Sequence, residues 1–197
     1  MSATVSKLPR EDAEDRFLDA AERLLVEVGH AGITTRRLAK EAAANHGLVH
    51  YYFGSMENLL ARVLERFTDR LIERQRRLYA SDAPFIEKWR TAMHYLEADQ
   101  HYQRIWYELQ ALAWSRPELR EPVARVNAEW RAVLREALSE PLTRYGLPIP
   151  LEALVSLVVT FNEGIIWERL SGIDTGHADL LDWIDSWLEE QEARASR

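Results

Sequence analysis

Residues 33–60 leave this chain few ways to fold. They run Ile33-Thr34-Thr35-Arg36-Arg37-Leu38-Ala39-Lys40-Glu41, then Ala42-Ala43-Ala44-Asn45-His46-Gly47-Leu48-Val49-His50-Tyr51-Tyr52-Phe53, then Gly54-Ser55-Met56-Glu57-Asn58-Leu59-Leu60. The pattern reads as a short helix, a tight turn, a second short helix and the start of a long one. Thr34 is a good N-cap for the first of these. Arg36 and Arg37 then fall in its first turn, where positive charge opposes the helix dipole. An outside anion such as a phosphate would remove that conflict. Leu38, Ala39 and Ala42 face inward. Ala43-Ala44-Asn45 make the turn, and Asn45 caps the second short helix. In that helix Val49 and Phe53 point to a core, four residues apart. Asn45, His46, Leu48, His50 and Tyr51 are left facing outward. A helix so polar and aromatic, held on a compact helical scaffold, suggests a surface that reads DNA.

The rest of the chain is also helical by period. A first helix spans about 10–28, with Ala13, Phe17, Ala20, Ala21, Leu24, Leu25 and Val28 on one stripe and Gly29 as its stop. Ser55 caps a long helix that reaches about Tyr79. Ser81-Asp82-Ala83-Pro84 is the clearest break. Helices follow over 85–98 and 101–114. Pro117 opens another, which Pro141 and the segment Gly146-Leu147-Pro148-Ile149-Pro150 stop. Residues 151–170 are apolar nearly all round, and such a helix must be covered on every face. A last helix spans about 179–192. No strand signal or repeat stands out, and the expected class is all-α with about nine helices.

Composition narrows the function. The 197 residues carry a net charge of −7, which by itself argues against nucleic acid. The distribution reverses that argument. Residues 1–53 hold seven Lys and Arg against eight Asp and Glu, and many of those acids (Glu11, Asp12, Glu14, Asp15, Asp19) sit in the first helix. Arg36, Arg37 and Lys40 flank the outward-facing helix. The chain has no Cys, which excludes disulfide scaffolds and Cys-ligated metal sites and fits a reducing cytoplasm. The segment Met1 to Arg10 lacks the apolar run of a secretory signal. The most apolar stretch, 151–166, contains Glu152, Asn162 and Glu163 and is too short and polar to span a bilayer.

The helix ending in Gly29, Ile33-Thr34-Thr35, Leu38-Ala39, Ala42, Asn45-x-Gly47, Val49-His50-Tyr51-Tyr52-Phe53 and Ser55-x-Glu57-x-Leu59-Leu60 together resemble the TetR family of bacterial transcriptional regulators. The likeness is strong over residues 11–64 and rests on helix layout beyond them. It implies a three-helix helix-turn-helix DNA-binding domain over 1–54 and a helical ligand-binding and dimerisation domain over 55–197. It further implies a homodimer formed by the C-terminal helices. That dimer would be a repressor on a near-palindromic double-stranded operator, released by a small molecule; an activator is the alternative inside the family. By position, Thr34, Thr35 and Arg36 should meet phosphates, with Arg36 near a base edge. His46, Gly47 and Leu48 should face the major groove beside the cap Asn45. His50, Tyr51 and Tyr52 should contact the backbone. The chain departs from the family at Ala43, where Gly is common, at Ala44, where Val is common, at His50, where Tyr is frequent, and at Met56, where a phosphate-contacting Lys is frequent.

The 151–170 helix is the natural dimer surface. The effector site is expected among the central helices, with Trp89, His94, Trp106, Tyr107, Gln110, Trp114, Asn127, Trp130, Phe161 and Asn162 as candidates. Such sites are mostly apolar with a few convergent polar groups, which suits a hydrophobic or aromatic molecule of modest size. Asn127 and Asn162 are the sharpest cases, because a buried amide must find partners. Glu108, Glu163 and Glu168 raise the alternative of a cationic effector. An enzyme is the rival class, through a His94, His101 and Glu108 metal cluster, but no nucleophile–base constellation stands out. No cofactor, metal or membrane partner is expected. A helical interaction module that does not bind DNA is the other rival.

Overall fold

The computed structural model describes residues 10–196, with side chains from Ala13 onward. The side chains of Glu11 and Asp12 and the start of the chain, where a signal was sought, lie outside the described residues. Nine α-helices are present among them: α1 (Arg10–Val28), α2 (Thr35–Glu41), α3 (Gly47–Phe53), α4 (Met56–Tyr79), α5 (Phe85–Ala98), α6 (Gln100–Ser115), α7 (Arg120–Arg144), α8 (Leu151–Leu170) and α9 (His177–Ala195). Two 3-10 turns, His30–Gly32 and Pro117–Leu119, complete the order. No described residue is in a strand.

Two prolines behave differently from the sequence expectation. Pro117 opens a 3-10 turn, closed by the Leu119 N–H on the Arg116 carbonyl at 3.1 Å, and α7 begins only at Arg120. Pro141 does not stop α7 but lies inside it. A proline there forfeits one backbone hydrogen bond, and it sits in the last two turns, where few bonds remain to lose. Pro141 is buried, and the Tyr145 N–H still reaches its carbonyl at 2.9 Å. Gly146, at φ 61, ends the run instead.

The chain divides into two compact units. One holds the described residues through Phe67 together with Arg104–Ala124. The other holds Thr68–Gln103 and everything from Arg125. Ser81–Pro84 therefore links α4 to α5 inside the second unit, and the N-terminal helices share their unit with part of α6.

In the first unit the core comes from the predicted stripes. Phe17, Leu24, Leu25, Leu38, Val49, Leu59, Leu60 and Leu64 are all essentially inaccessible. The Phe17 ring meets Phe53 edge-on at 6.2 Å. Each such side chain contributes about 1.5–3 kcal/mol by leaving water, which fixes two helices as short as α2 and α3. Alone, helices of 7 residues would be marginal.

In the second unit Leu134 and Leu138 of α7 pack on Val155 of α8, with Phe85, Leu151 and Val158 around them. Helix α5 lies against α9, where Arg90 forks onto Asp185 at 2.8 and 2.6 Å. Glu192 accepts from the Phe85 N–H at 3.2 Å and from the Tyr145 hydroxyl at 2.7 Å, and so caps α5 from α9. Helix α8 is covered on one side only. Val155 and Ile165 are buried, while Leu157 is 59% exposed.

Candidate nucleic-acid interface

The first unit presents α3 through a chain of local devices. Thr34 Oγ1 accepts the Arg37 N–H at 3.2 Å and starts α2 as expected from its type. The turn after α2 puts Ala43 at φ 48, the single non-glycine residue with positive φ among those described. Asn45 Oδ1 accepts the Gly47 N–H at 2.9 Å, satisfying a donor that the start of α3 leaves free. The formal cap position falls one residue later, on His46, whose side chain makes no capping bond. At the other end Gly54, at φ 74, turns the chain, and Ser55 Oγ accepts the Asn58 N–H at 3.1 Å to open α4.

The outward face is close to the one expected. Thr34, Arg36, Asn45, His46, Gly47, His50 and Tyr51 are exposed, and Thr35, Leu48 and Tyr52 are half-buried. Tyr51 is the extreme case at 69%. Its ring meets Tyr52 edge-on at 5.1 Å, and Tyr52 in turn lies 6.3 Å from Phe17 of the core. A core aromatic therefore braces an exposed one. His50 Nδ1 donates to the Gly54 carbonyl at 3.0 Å, which leaves Nε2 directed away from that bond. Arg36 is exposed, and its guanidinium can meet an anion at the start of α2.

Two positioning residues escape sequence reading. Arg16 of α1 donates to the carbonyls of Ala42 and Ala43, the latter at 3.0 Å, and so clamps the turn between α2 and α3. Glu108 of α6 accepts the His30 N–H at 2.8 Å. Its carboxylate would stand 3.0 Å from a Cβ at Gly29, where φ is 67. Only a residue without a side chain fits both the backbone and that approach. Arg116 adds a bond of 3.1 Å to Glu57 in the first turn of α4. None of these three pairings has a periodic signature, because each joins residues far apart in sequence.

The ten effector candidates are divided. Trp106, Tyr107, Gln110 and Trp114 fall in the first unit and the other six in the second. Trp89 and Phe161 come together, with ring centroids 6.0 Å apart. Asn162 Oδ1 is buried without a hydrogen-bond partner. His94 is exposed, and Trp114 is 80% exposed, so both are surface residues of the single chain. A cleft of about 720 Å³ opens in the second unit between Tyr79, Phe85, Ile86, Ala137, Glu140 and Arg144, and none of the ten candidates lines it. The metal reading loses its third ligand, since Glu108 is held by the His30 N–H and lies 3.5 Å from Arg104. Among the described residues no cluster of three metal-binding side chains is present. No described helix is long and apolar enough to cross a membrane.

This geometry matches known proteins. Residues 17–63 match the family model of bacterial regulatory proteins of the tetR family. Residues 80–190 match that of the tetracyclin repressor-like C-terminal domain. An HTH-type transcriptional repressor of Mycobacterium tuberculosis is 36% identical over 80 residues, 40% of each chain. An HTH-type regulator of Haemophilus influenzae is 26% identical over 99 residues, 50% of this chain and 48% of its own. The chain thus spans less than half the length of these relatives. Among solved structures, a TetR transcription regulator from Haloarcula marismortui superposes with a TM-score of 0.72 at 18% identity, covering 90% of this chain and 96% of that one. The fatty acid degradation regulator FadR from Bacillus halodurans gives 0.71 at 18%, covering 89% and 94%. With both halves matched and a braced, outward-facing α3 inside the first of them, the chain belongs to the TetR family of DNA-binding transcriptional regulators.

Proposed function

We propose that this regulator is a cytoplasmic homodimeric repressor, released from a near-palindromic operator by a small hydrophobic or aromatic molecule. The observation that carries the DNA half is α3 itself, a short helix whose His46, Gly47, His50 and Tyr51 stand exposed while Val49 and Phe53 anchor it. The major groove is wide enough for such a helix. His46 can donate or accept at a purine edge. Half-buried Leu48 offers apolar contact to a thymine methyl. Thr34, Thr35, Arg36, Tyr51 and Tyr52 supply phosphate contacts, which set affinity and register.

The dimer half rests on the second unit. Leu157 and Leu170 of α8, at 59% and 43% exposure, and Leu180 and Trp183 of α9, at 40% and 65%, form apolar surface that a single chain leaves in water. Apolar exposure of this kind marks an interaction face. A two-fold copy covers it and delivers two α3 helices to half-sites about 34–36 Å apart or a multiple. An effector acts by binding the DNA-incompetent arrangement more tightly than the competent one.

The test is selection of duplexes from a random pool, followed by titration in rising salt. The expected product is an inverted repeat bound by two chains, with affinity falling steeply as salt rises. Arg36→Ala should weaken that binding while sedimentation still shows a dimer. Failure to enrich any duplex at low ionic strength, or enrichment of a site bound by one chain, refutes the proposal.

A further inference from the structure

The cleft of about 720 Å³ in the second unit lies where helices end. Tyr79 closes α4, Glu140 and Arg144 sit in the last turns of α7, and Glu192 and Ala193 lie near the end of α9. The C-terminal end of a helix carries about half a negative charge, so the ends of α4, α7 and α9 together give the cleft a negative potential. The opposing end is the N-terminus of α5, and Glu192 already accepts its Phe85 N–H at 3.2 Å. The volume falls in the range of small-molecule sites, about 300–1,000 Å³.

The side chains add to that potential. Four carboxylates line the cleft, Asp82, Glu136, Glu140 and Glu192, against two cations, Lys88 and Arg144. Both cations are engaged. Lys88 Nζ donates to the Tyr79 carbonyl at 2.9 Å, and Arg144 lies 2.8 Å from Glu192 and 3.7 Å from Glu140. Asp82 and Glu136 are exposed, and among the described residues neither has a cation within ion-pair distance. Arg135, next to Glu136 in sequence, is held by Glu152 at 2.5 Å. The lining also holds apolar surface, from Pro84, Phe85, Ile86 and Ala137. The Tyr79 phenol is part of it and makes no hydrogen bond among the described residues. Burial alone pushes that phenol up to about 12. A hydroxyl so placed lacks the partner that polar groups out of water ordinarily have.

We propose that this cleft binds a small organic amine, its ammonium drawn to the Asp82 and Glu136 carboxylates and its apolar body lying on Phe85, Ile86 and Ala137. The excess of acids and the three helix ends disfavour an anion. A neutral molecule gains the apolar contact alone. An ammonium adds attraction to two acids that lack a cation, and it can donate an N–H to the Tyr79 phenol oxygen. The site is separate from the ten effector candidates, none of which lines it. The inference goes beyond the repressor reading and holds whether or not an operator is released. A ligand there touches α4, α5, α7 and α9 at once, so its binding stabilises the folded second unit by linkage.

The experiment compares three molecules of similar shape on the full chain: phenethylamine, 2-phenylethanol and 3-phenylpropionate. Affinity is read by titration calorimetry and stabilisation by thermal shift. The amine should bind about fivefold more tightly than the alcohol, with the carboxylate weakest, and rising salt should erode the amine's advantage. Asp82→Asn with Glu136→Gln should abolish that advantage while alcohol binding and the ligand-free melting temperature stay in place. Should the pair unfold, each substitution alone should remove part of the advantage. Tyr79→Phe should weaken the amine by about twofold or more with both acids intact. No amine binding by either readout, equal binding of amine and alcohol, or an amine preference that survives loss of the two acids overturns the site.

Discussion

The turn between α2 and α3 stores a small strain that one substitution should release. Ala43 holds φ at 48, in the left-handed region that favours Gly. An L-residue in that region costs roughly 1–2 kcal/mol, because its Cβ crowds a carbonyl oxygen. Glycine removes that cost, but its freer unfolded chain gives back about 0.5–1 kcal/mol. No packing is lost, since Ala43 is exposed. The clamp is kept, because Arg16 bonds to the backbone carbonyl and not to the methyl. The balance favours Ala43→Gly by about 0.5–1 kcal/mol. At this chain length 1 kcal/mol moves the melting temperature by about 2–4 °C, so the expected rise is about 1–4 °C. The assay is thermal and urea unfolding of the DNA-free protein, with Ala43→Val as the opposing control. A β-branched residue at positive φ is a true outlier, and this variant should fall below the parent. Operator affinity of the glycine variant should be unchanged. A glycine variant less stable than the parent, or a valine variant as stable, would refute the assigned conformation and the strain with it.

Three further outcomes follow from the same geometry. Arg16→Met removes charged donors from the Ala42 and Ala43 carbonyls, so urea unfolding should show a loss of about 1.5–3 kcal/mol and duplex titration a weaker complex; an unaltered midpoint would show that the clamp carries no energy. Gly29→Ala adds a Cβ 3.0 Å from Glu108 Oε1 on a backbone at φ 67, with an expected cost of about 1–2 kcal/mol, only part of which Glu108→Ala should restore in the double variant. Burial pushes the Tyr79 phenol up to about 12. Between its unfolded value near 10 and that value, the unfolded chain binds fewer protons than the folded one, so stability should fall as pH rises through this window, by at most about 1.4 kcal/mol per pH unit. Tyr79→Phe should flatten that alkaline limb in urea midpoints taken from pH 9 to 11; an identical slope would mean that the phenol is not desolvated.

Local chemistry was the legible part of this fold. Helix α1 ends where Gly29 was expected to end it, and α2 is capped by Thr34 because a hydroxyl at that position has one obvious donor to accept. α5 and α8 carry the bounds that their periodicity and flanking prolines set. Pro141 misled because proline was weighed as a stop regardless of place. Near the end of a helix the missing donor costs little, and burial of the ring holds the turn. The exposed face of α3 was legible for the same local reason: Val49 and Phe53 have the spacing of a core contact, which leaves Gly47, His50 and Tyr51 outward and Leu48 and Tyr52 at the margin.

What the sequence hid is tertiary and polar. Arg16 looks like any solvated helix residue until the turn that it clamps is folded beside it, and Glu108 looks like one more acid until the His30 N–H arrives from 78 residues away. Asn162 drew attention because it interrupts an apolar helix. Thr68 and Gln75 did not, because Asp69, Arg70, Glu73 and Arg74 surround them in sequence and disguise their face as a solvated one. Yet the two lie seven apart, with Ile72 in the same row, and that spacing is as regular as any core stripe. Register with the core, and not residue type, thus decides which of these side chains is buried. Trp114 is aromatic and stands in solvent, whereas Gln75 is polar and does not.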